Sequence, residues 1–391
     1  MRTWALPEHI EDLLPHDARK LEHIRRLALD MFALRGYELV VPPLMEYVDS
    51  LLTGTGHDMD LATFKLVDQL SGRTMGIRAD TTPQVARIDA HVLNRQGISR
   101  LCYAGSVLHT LPFGLGKSRQ PFQAGAELFG HAGLEADIEI QQLMIDALNA
   151  FDVKAVQLDI GHPAIFRTLI DLAKVDAASA DDIFVATEAK DVQRLKSLVM
   201  AIPDLIPSHR DALLMLPTWY GGVGVLDLAA AALPGDERIA SAIAQLRKIA
   251  AHFSAQGIGV SIDLGELGGF NYESGIVFSA YASGASDAVA RGGRYDEVGK
   301  SFGRARPATG FSMDLKALLP LIADQPMRGA ILVPAQVDAT AQTIIAELRK
   351  TGERVIAQLP GHDADLHELG CDRELVKQAG GWTVVPMRFP G

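Results

Sequence analysis

Residues 101–108 and 121–129 read as two apolar strands on either side of a polar loop, 111–120, that contains Gly114 and Gly116. This pattern predicts a β-hairpin with a long tip. It constrains the fold because the hydrophobic period changes directly after the second strand. Ile140, Leu143, Met144, Ala147, Leu148 and Phe151 fall on one helical face, after which Val156, Leu158 and Ile160 alternate as a half-buried strand. Upstream, Leu21, Ile24, Ala28, Met31 and Phe32 stripe a helix over 17–35, with Gly36 as its stop, and a strand over 37–41 halts at Pro42-Pro43. A second hairpin is predicted from 63–67 and 73–78, followed by a helix over 81–93 with Pro83 in its first turn.

Residues 163–253 are alanine-rich and mostly helical, broken by Pro203, Pro207, Pro217 and Gly221-Gly222, and read as an inserted helical subdomain. Strands resume at 260–263, 275–281, 288–295 and 310–313, the last running into a helix over 314–322. Antiparallel strands framed by helices make this an α+β chain rather than a doubly wound one. The pattern ends near 325. Residues 329–391 form a small appended α/β domain with one clear helix around Ala341, Ile344, Ile345 and Leu348, and a hairpin turning at Gly380-Gly381.

Length agrees with this layout: 391 residues at ~150 per domain make two domains and an insertion. With 37 basic and 48 acidic side chains the net charge is −11, which argues against coating nucleic acid by charge alone. Cys102 and Cys371 are the only cysteines, so neither a disulfide framework nor a cysteine zinc ribbon is expected. The first dozen residues lack an apolar h-region and no apolar run is long enough for a membrane span, so the expected location is the cytoplasm.

Gly114-Leu-Gly-Lys-Ser118 imitates the end of a phosphate-binding loop, but Leu111 stands where the first glycine is required. His362, Asp363, Asp365, His367, Glu368 and Cys371 crowd one loop without the spacing of a known metal site, and no metal or cofactor is expected. Gly76-Ile-Arg-Ala-Asp80-Thr-Thr82-Pro-Gln-Val-Ala-Arg87 is more informative. It puts a carboxylate and a hydroxyl at the mouth of a sheet, where a ligand amine could be held, although Asp80 or Thr81 as a plain helix cap explains the segment alone.

The order of these segments resembles the catalytic domain of class II aminoacyl-tRNA synthetases, and specifically histidyl-tRNA synthetase, over about residues 6–320. Phe122-Gln123-Ala-Gly-Ala-Glu127-Leu-Phe-Gly130 is similar to the strand carrying that family's glutamine and glutamate for the histidine amino group. Phe270-Asn-Tyr272-Glu-Ser-Gly275-Ile-Val-Phe278 is similar to its signature loop, and Gly292-Gly-Arg-Tyr295-Asp296 to the glycine-rich strand after it. The resemblance implies a histidine pocket of Asp80, Thr82, Gln123, Glu127, Tyr272 and Tyr295. The residue types suit the task independently, since an ammonium wants carboxylates and amide oxygens and an imidazole wants aromatic hydroxyls.

The same resemblance places the arginines of adenylation on His109, Gly268 and Ala317, so no catalytic residue is expected. A 63-residue tail is also short for an anticodon-binding domain, and no tRNA is expected as a partner. A retained pocket with lost cations resembles the regulatory subunits of ATP phosphoribosyltransferase. That resemblance implies a short-form catalytic chain as partner, a homodimer within a hetero-oligomer, L-histidine as effector, and a role in the first step of histidine biosynthesis. An active histidyl-tRNA synthetase and a stand-alone histidine-binding module are the alternatives. The expected division is 1–325, with the insertion at about 163–253, and 329–391.

Overall fold

A computed structural model describes residues 4–53, 57–112, 114, 117–268, 273–324, 328–361 and 366–387. The chain forms two compact units, Met1–Ala323 and Asp324–Gly391.

The larger unit is built on a nine-stranded sheet whose strands lie in the spatial order Glu38–Leu39, Ser99–Ser106, Phe122–Phe129, Ala308–Asp314, Ala290–Arg294, Val277–Tyr281, Gln157–Gly161, Gly259–Asp263 and Tyr220–Gly221. Neighbours are antiparallel except for the first pair and for Gln157–Gly161 with Gly259–Asp263. This is the expected α+β class. The long hairpin is present as predicted, in register from Ser99 opposite Phe129 to Ser106 opposite Phe122.

One face of the sheet is covered by the helices Pro15–Leu34 and Leu134–Ala150. Ile24, Ala28 and Phe32 of the first, and Ile140, Leu143, Met144, Ala147 and Leu148 of the second, pack with the strand residues Ala124, Ala126, Leu128 and Phe311. Alternation along the strands then sends Gln123, Gly125 and Glu127 to the opposite face. That division between a greasy face and a polar one is what creates room for a site.

The predicted second hairpin is Phe64–Val67 with Thr74–Ile77, joined by Met45–Tyr47 into a separate three-stranded sheet. Thr82–Arg87 is the expected helix with proline in its first turn, continuing as a π-helical segment, Ile88–Leu93.

The stretch after Gly161 differs from the sequence reading in three respects. It holds the helices Ala164–Ala173, Ala177–Glu188, Val192–Met200, Pro207–Met215, Val225–Ala232 and Glu237–Ser254. Pro207 opens a helix instead of breaking one, because a first-turn residue needs no amide donor. Tyr220–Gly221 leaves the helices to add the edge strand of the main sheet. Phe166, Leu195, Leu226 and Leu246 share one apolar core with the sheet residues Ile160 and Phe278, so these helices form a crossover layer of the same domain.

The smaller unit is a four-stranded sheet in the order Val355–Ala357, Ala330–Val333, Cys371–Gln378, Gly381–Pro386. The helix Ala339–Lys350 packs on Ile331, Val333 and Leu375, and a second short helix, Leu366–Leu369, was not apparent from sequence.

Candidate functional site

The polar face of the sheet is floored by glycine. Gly125 lies opposite Tyr103, and a Cβ there would stand 2.5 Å from the tyrosine oxygen; at Gly310 it would stand 1.5 Å from the Glu127 carboxylate, and at Gly105 2.5 Å from the Arg78 guanidinium. Long side chains from neighbouring positions lie flat over these gaps, so the glycines set the depth of a shallow cleft.

Asp80, just beyond the strand Thr74–Ile77, forms its rim. Its Oδ1 accepts from the Thr82 amide at 3.2 Å, the Thr82 hydroxyl at 3.2 Å and the Gln123 amide nitrogen at 2.6 Å, and the Gln123 carbonyl accepts from the Thr81 amide at 2.9 Å. Gln123 therefore staples the start of the helix Thr82–Arg87 to the central sheet. The Thr82 and Tyr103 hydroxyl oxygens lie 3.2 Å apart, and Tyr103 donates to Glu127 at 3.1 Å. Tyr295 donates to the other Glu127 oxygen.

Of the six predicted residues, Asp80, Thr82, Gln123, Glu127 and Tyr295 thus belong to one hydrogen-bonded network. Tyr272 lies outside the described residues, as do Leu115 and Gly116 of the glycine loop and His362, Asp363 and Asp365 of the ligand-rich loop. Among the described residues no cluster has the make-up of a metal site.

Tyr103 was not singled out from sequence, although its ring is fully buried and joins the two ends of the network. A glycine in mid-strand at 125 is the signal that a bulky cross-strand neighbour needs the space. Arg78 was also missed in this role. Its buried guanidinium donates to the carbonyls of Ser106 at 2.9 Å and Pro42 at 3.0 Å, fixing the hairpin end beside Asp80.

The two ends of the network differ electrically. Asp80 is half-buried, whereas Glu127 is 1 % exposed, and burial pushes its carboxyl up to about 8 against the lowering effect of the two phenol donors. Burial likewise raises the Tyr103 phenol, with the Glu127 and Asp80 carboxylates adding to it. The Tyr103 phenol therefore remains a donor at neutral pH. The cleft offers an anionic rim and a proton-holding interior, which matches a ligand with an ammonium at one end and a polar ring at the other.

The positions expected to have lost arginines are put to other uses. His109 is buried, its Nε2 2.8 Å from the Ala79 carbonyl, where the ring holds the backbone next to Asp80; burial lowers its pKa and favours the neutral imidazole. Gly268 has φ +55°, and a Cβ there would lie 1.9 Å from a Glu273 oxygen. Ala317 is an exposed residue of the helix Leu315–Leu318.

Tyr295 is aimed by its neighbour Arg294. That guanidinium is 7 % exposed and grips Asp137 at 2.8 Å, with the carbonyls of His131 and Gly133 and the carboxylate of Asp296 around it. The strand end is thereby locked to the helix Leu134–Ala150, and the next residue is turned into the cleft.

Comparison with known proteins agrees with this architecture. A family model described as histidyl-tRNA synthetase matches residues 9–318, and one described as the ATP phosphoribosyltransferase subunit HisZ C-terminal domain matches residues 328–385. A protein of Cupriavidus pinatubonensis, described as an ATP phosphoribosyltransferase regulatory subunit, is 52% identical over 98% of this chain and 99% of its own length. One of Ralstonia nicotianae with the same description is 53% identical over 99% of both. Among solved structures, a Bacillus halodurans protein described as an ATP phosphoribosyltransferase regulatory subunit/histidyl-tRNA synthetase superposes with a TM-score of 0.83 at 25% identity, covering 94% of this chain and 96% of that one. A histidyl-tRNA synthetase from a Nostoc species shares the fold, with a TM-score of 0.76 at 17% identity over 98% of this chain and 97% of its own.

Proposed function

We propose a mechanism from the premise that the chain belongs to the family of ATP phosphoribosyltransferase regulatory subunits, with a larger domain of the histidyl-tRNA synthetase type. The chain is then non-catalytic. It binds a short-form catalytic chain that carries out the first step of histidine biosynthesis, raises that chain's activity, and conveys feedback inhibition by histidine. Membership of this family along nearly the whole chain sets aside an active histidyl-tRNA synthetase and a stand-alone binding module.

The observation that carries the effector reading is the intact network from Asp80 through Thr82 and Tyr103 to Glu127 and Tyr295. In this reading the histidine ammonium sits at Asp80, Gln123 and Thr82, and the imidazole at the buried end with Glu127 and the two tyrosines. Tyr272 is assigned to the same pocket. With His109, Gly268 and Ala317 in place of arginines, a triphosphate brought to this cleft would meet carboxylates instead of guanidinium groups.

The homodimer reading has support from the sheet edge. Leu34, Leu39, Val41 and Leu44 are 87 %, 52 %, 81 % and 50 % exposed around the short edge strand Glu38–Leu39, an apolar rim that a second copy would cover.

Regulation is a coupling between the histidine pocket and the catalytic chain, of a typical size of ~1–3 kcal/mol and reciprocal. Calorimetric titration of histidine into the complex tests it. Substrates of the catalytic chain should change histidine affinity by roughly 5–150-fold; equal affinity with and without them would sink the mechanism.

A further inference from the structure

The small sheet of Met45–Tyr47, Phe64–Val67 and Thr74–Ile77 has two faces of different character. Residues directly opposite on paired strands share a face, so Met45, Ile77 and Phe64 form one row, and Tyr47, Met75 and Leu66 a second row on the same face. All six are apolar or aromatic. None is fully buried, and none belongs to the apolar cores of the larger unit. The opposite face is the one the chain covers itself: a Cβ on Gly76 would stand 2.8 Å from Leu51 of the helix Val48–Leu51 and 2.8 Å from Thr63, and Leu51 is buried. Six apolar side chains gathered in two rows outside any core have the make-up of a docking surface, unlike apolar residues scattered singly over a surface.

The patch continues past the end of the strand. Thr110 donates from its amide to the Ala62 carbonyl at 3.0 Å and from its hydroxyl to the Leu61 carbonyl at 2.6 Å, which makes neighbours of the exposed Leu61 and Leu111. The charged groups over the aromatic rings are guanidiniums: Arg73 lies 3.6 Å from the Tyr47 ring centroid and Arg119 5.1 Å from that of Phe64. Arg73 reaches the well-exposed Asp49 carboxylate at 3.6 Å, a long contact, and Arg119 is held by the carbonyl oxygens of His109 at 3.1 Å and Glu8 at 3.4 Å. The rim therefore keeps positive charge to offer, on a chain whose net charge is −11.

We propose that this face docks the short-form catalytic chain, through an element of that chain that is apolar at its centre and flanked by carboxylates. The inference rests on the regulatory reading above and names the surface that serves it. A second copy suits the face less well, because a two-fold contact would set the Arg73 and Arg119 rim against itself and bring like charges together. Leu44, part of the apolar rim ascribed to a second copy, also points away from Met45 by strand alternation. Position supplies the coupling. The strand Thr74–Ile77 carries Met75 and Ile77 on the docking face and runs on through Arg78 to Asp80. Arg78 is fixed on both sides, its amide donating to the Leu44 carbonyl at 3.0 Å and its carbonyl accepting from the Leu108 amide at 3.0 Å. A partner seated on Met75 and Ile77 therefore acts on the strand that leads to the rim of the cleft.

Titrating the full-length chain into a short-form catalytic chain, with phosphoribosyl-ATP formation as the readout, tests this. Leu66 is the probe position, since it is 36 % exposed and the fold does not depend on burying it. Leu66→Asp should raise the concentration needed for half-maximal stimulation ~10–30-fold, as for the loss of a central interface contact, and should weaken co-elution with it. Leu66→Lys should cost less, because a lysine there meets the partner's carboxylates. Leu228→Asp, the same change at an exposed position of the helix Val225–Ala232, should leave stimulation as it was. Sedimentation of the isolated Leu66→Asp chain should give the same mass as the unmodified one.

Unchanged stimulation by a folded Leu66→Asp chain overturns the inference, and so does an equal loss in Leu228→Asp. A loss with lysine as large as that with aspartate overturns the acidic partner. If Leu66→Asp instead lowers the mass of the isolated chain, the face joins two copies and the inference falls. Should Leu66→Asp fail to fold, unchanged stimulation by Leu66→Gln overturns it. An unmodified chain that neither co-elutes with the catalytic chain nor stimulates it brings down the regulatory reading itself, a result distinct from all of these.

Discussion

Replacing Glu127 by glutamine should make the larger domain more stable at alkaline pH and leave it nearly unchanged at acid pH. The carboxyl of Glu127 is raised from 4.5 to about 8 because burial, helped by the nearby Asp80 carboxylate, outweighs the lowering effect of the Tyr295, Tyr103 and Thr82 hydroxyls. A carboxyl with a folded-state pKa above its unfolded value favours the fold most below pH 4.5, and this contribution is lost as pH rises through 8. Three and a half decades of proton affinity at ~1.4 kcal/mol each set an upper bound of about 5 kcal/mol, two-thirds of it lost by pH 7. Local relaxation and water entry reduce this, so a difference of about 2–3 kcal/mol between pH 5 and pH 9 is expected.

Glutamine keeps the shape without ever ionising, its amide oxygen accepting from one phenol and its amide nitrogen donating to the oxygen of the other. Urea denaturation of both proteins between pH 5 and pH 9 measures the effect as a difference, so carboxylates whose pKa values are lowered, such as Glu139 beside Arg100, cancel. A stability difference that stays flat across the range would refute the idea that an uncompensated buried carboxyl occupies the cleft.

The same geometry sets the outcome of other substitutions. Tyr103→Phe removes the hydroxyl between Thr82 and Glu127, and should cost ~1 kcal/mol in urea denaturation and several-fold in histidine affinity by calorimetry. Asp137→Ala leaves the 7 % exposed Arg294 with only Asp296 and two carbonyls and should destabilise the domain by ~3 kcal/mol, with the loss of Tyr295 alignment visible as lost histidine binding. Gly310→Ala would place a methyl 1.5 Å from the Glu127 carboxylate and should abolish histidine binding; unaltered affinity would show that the glycine floor does not shape the pocket.

Much of this site was legible because its residues sit on strongly patterned elements. Gln123 and Glu127 are four apart on one strand and must share a face, and Asp80 and Thr82 lie at a turn where a strand gives way to a helix. Tyr103 escaped notice because alternation marks it as an ordinary strand residue, and only the register against Gly125 reveals its place over the cleft. Arg78 and Arg294 were illegible for a related reason. Their partners, at Ser106 and Asp137, are set by strand pairing and helix packing across 28 to 157 residues of chain. The edge strand Tyr220–Gly221 is two residues long, too short to carry a period, so its stretch read as part of a helical insertion.

The regulatory role is tested most directly by mixing the full chain with a short-form ATP phosphoribosyltransferase catalytic chain and measuring phosphoribosyl-ATP formation with and without histidine. The two chains should co-elute, the rate should rise on mixing, and histidine should suppress it in the unaltered complex but not with Gln123→Ala, which loses the amide joining Asp80 to the Thr81 backbone. Absence of both co-elution and stimulation would contradict the regulatory reading, and suppression by histidine that is untouched by Gln123→Ala would move the effector site out of this cleft.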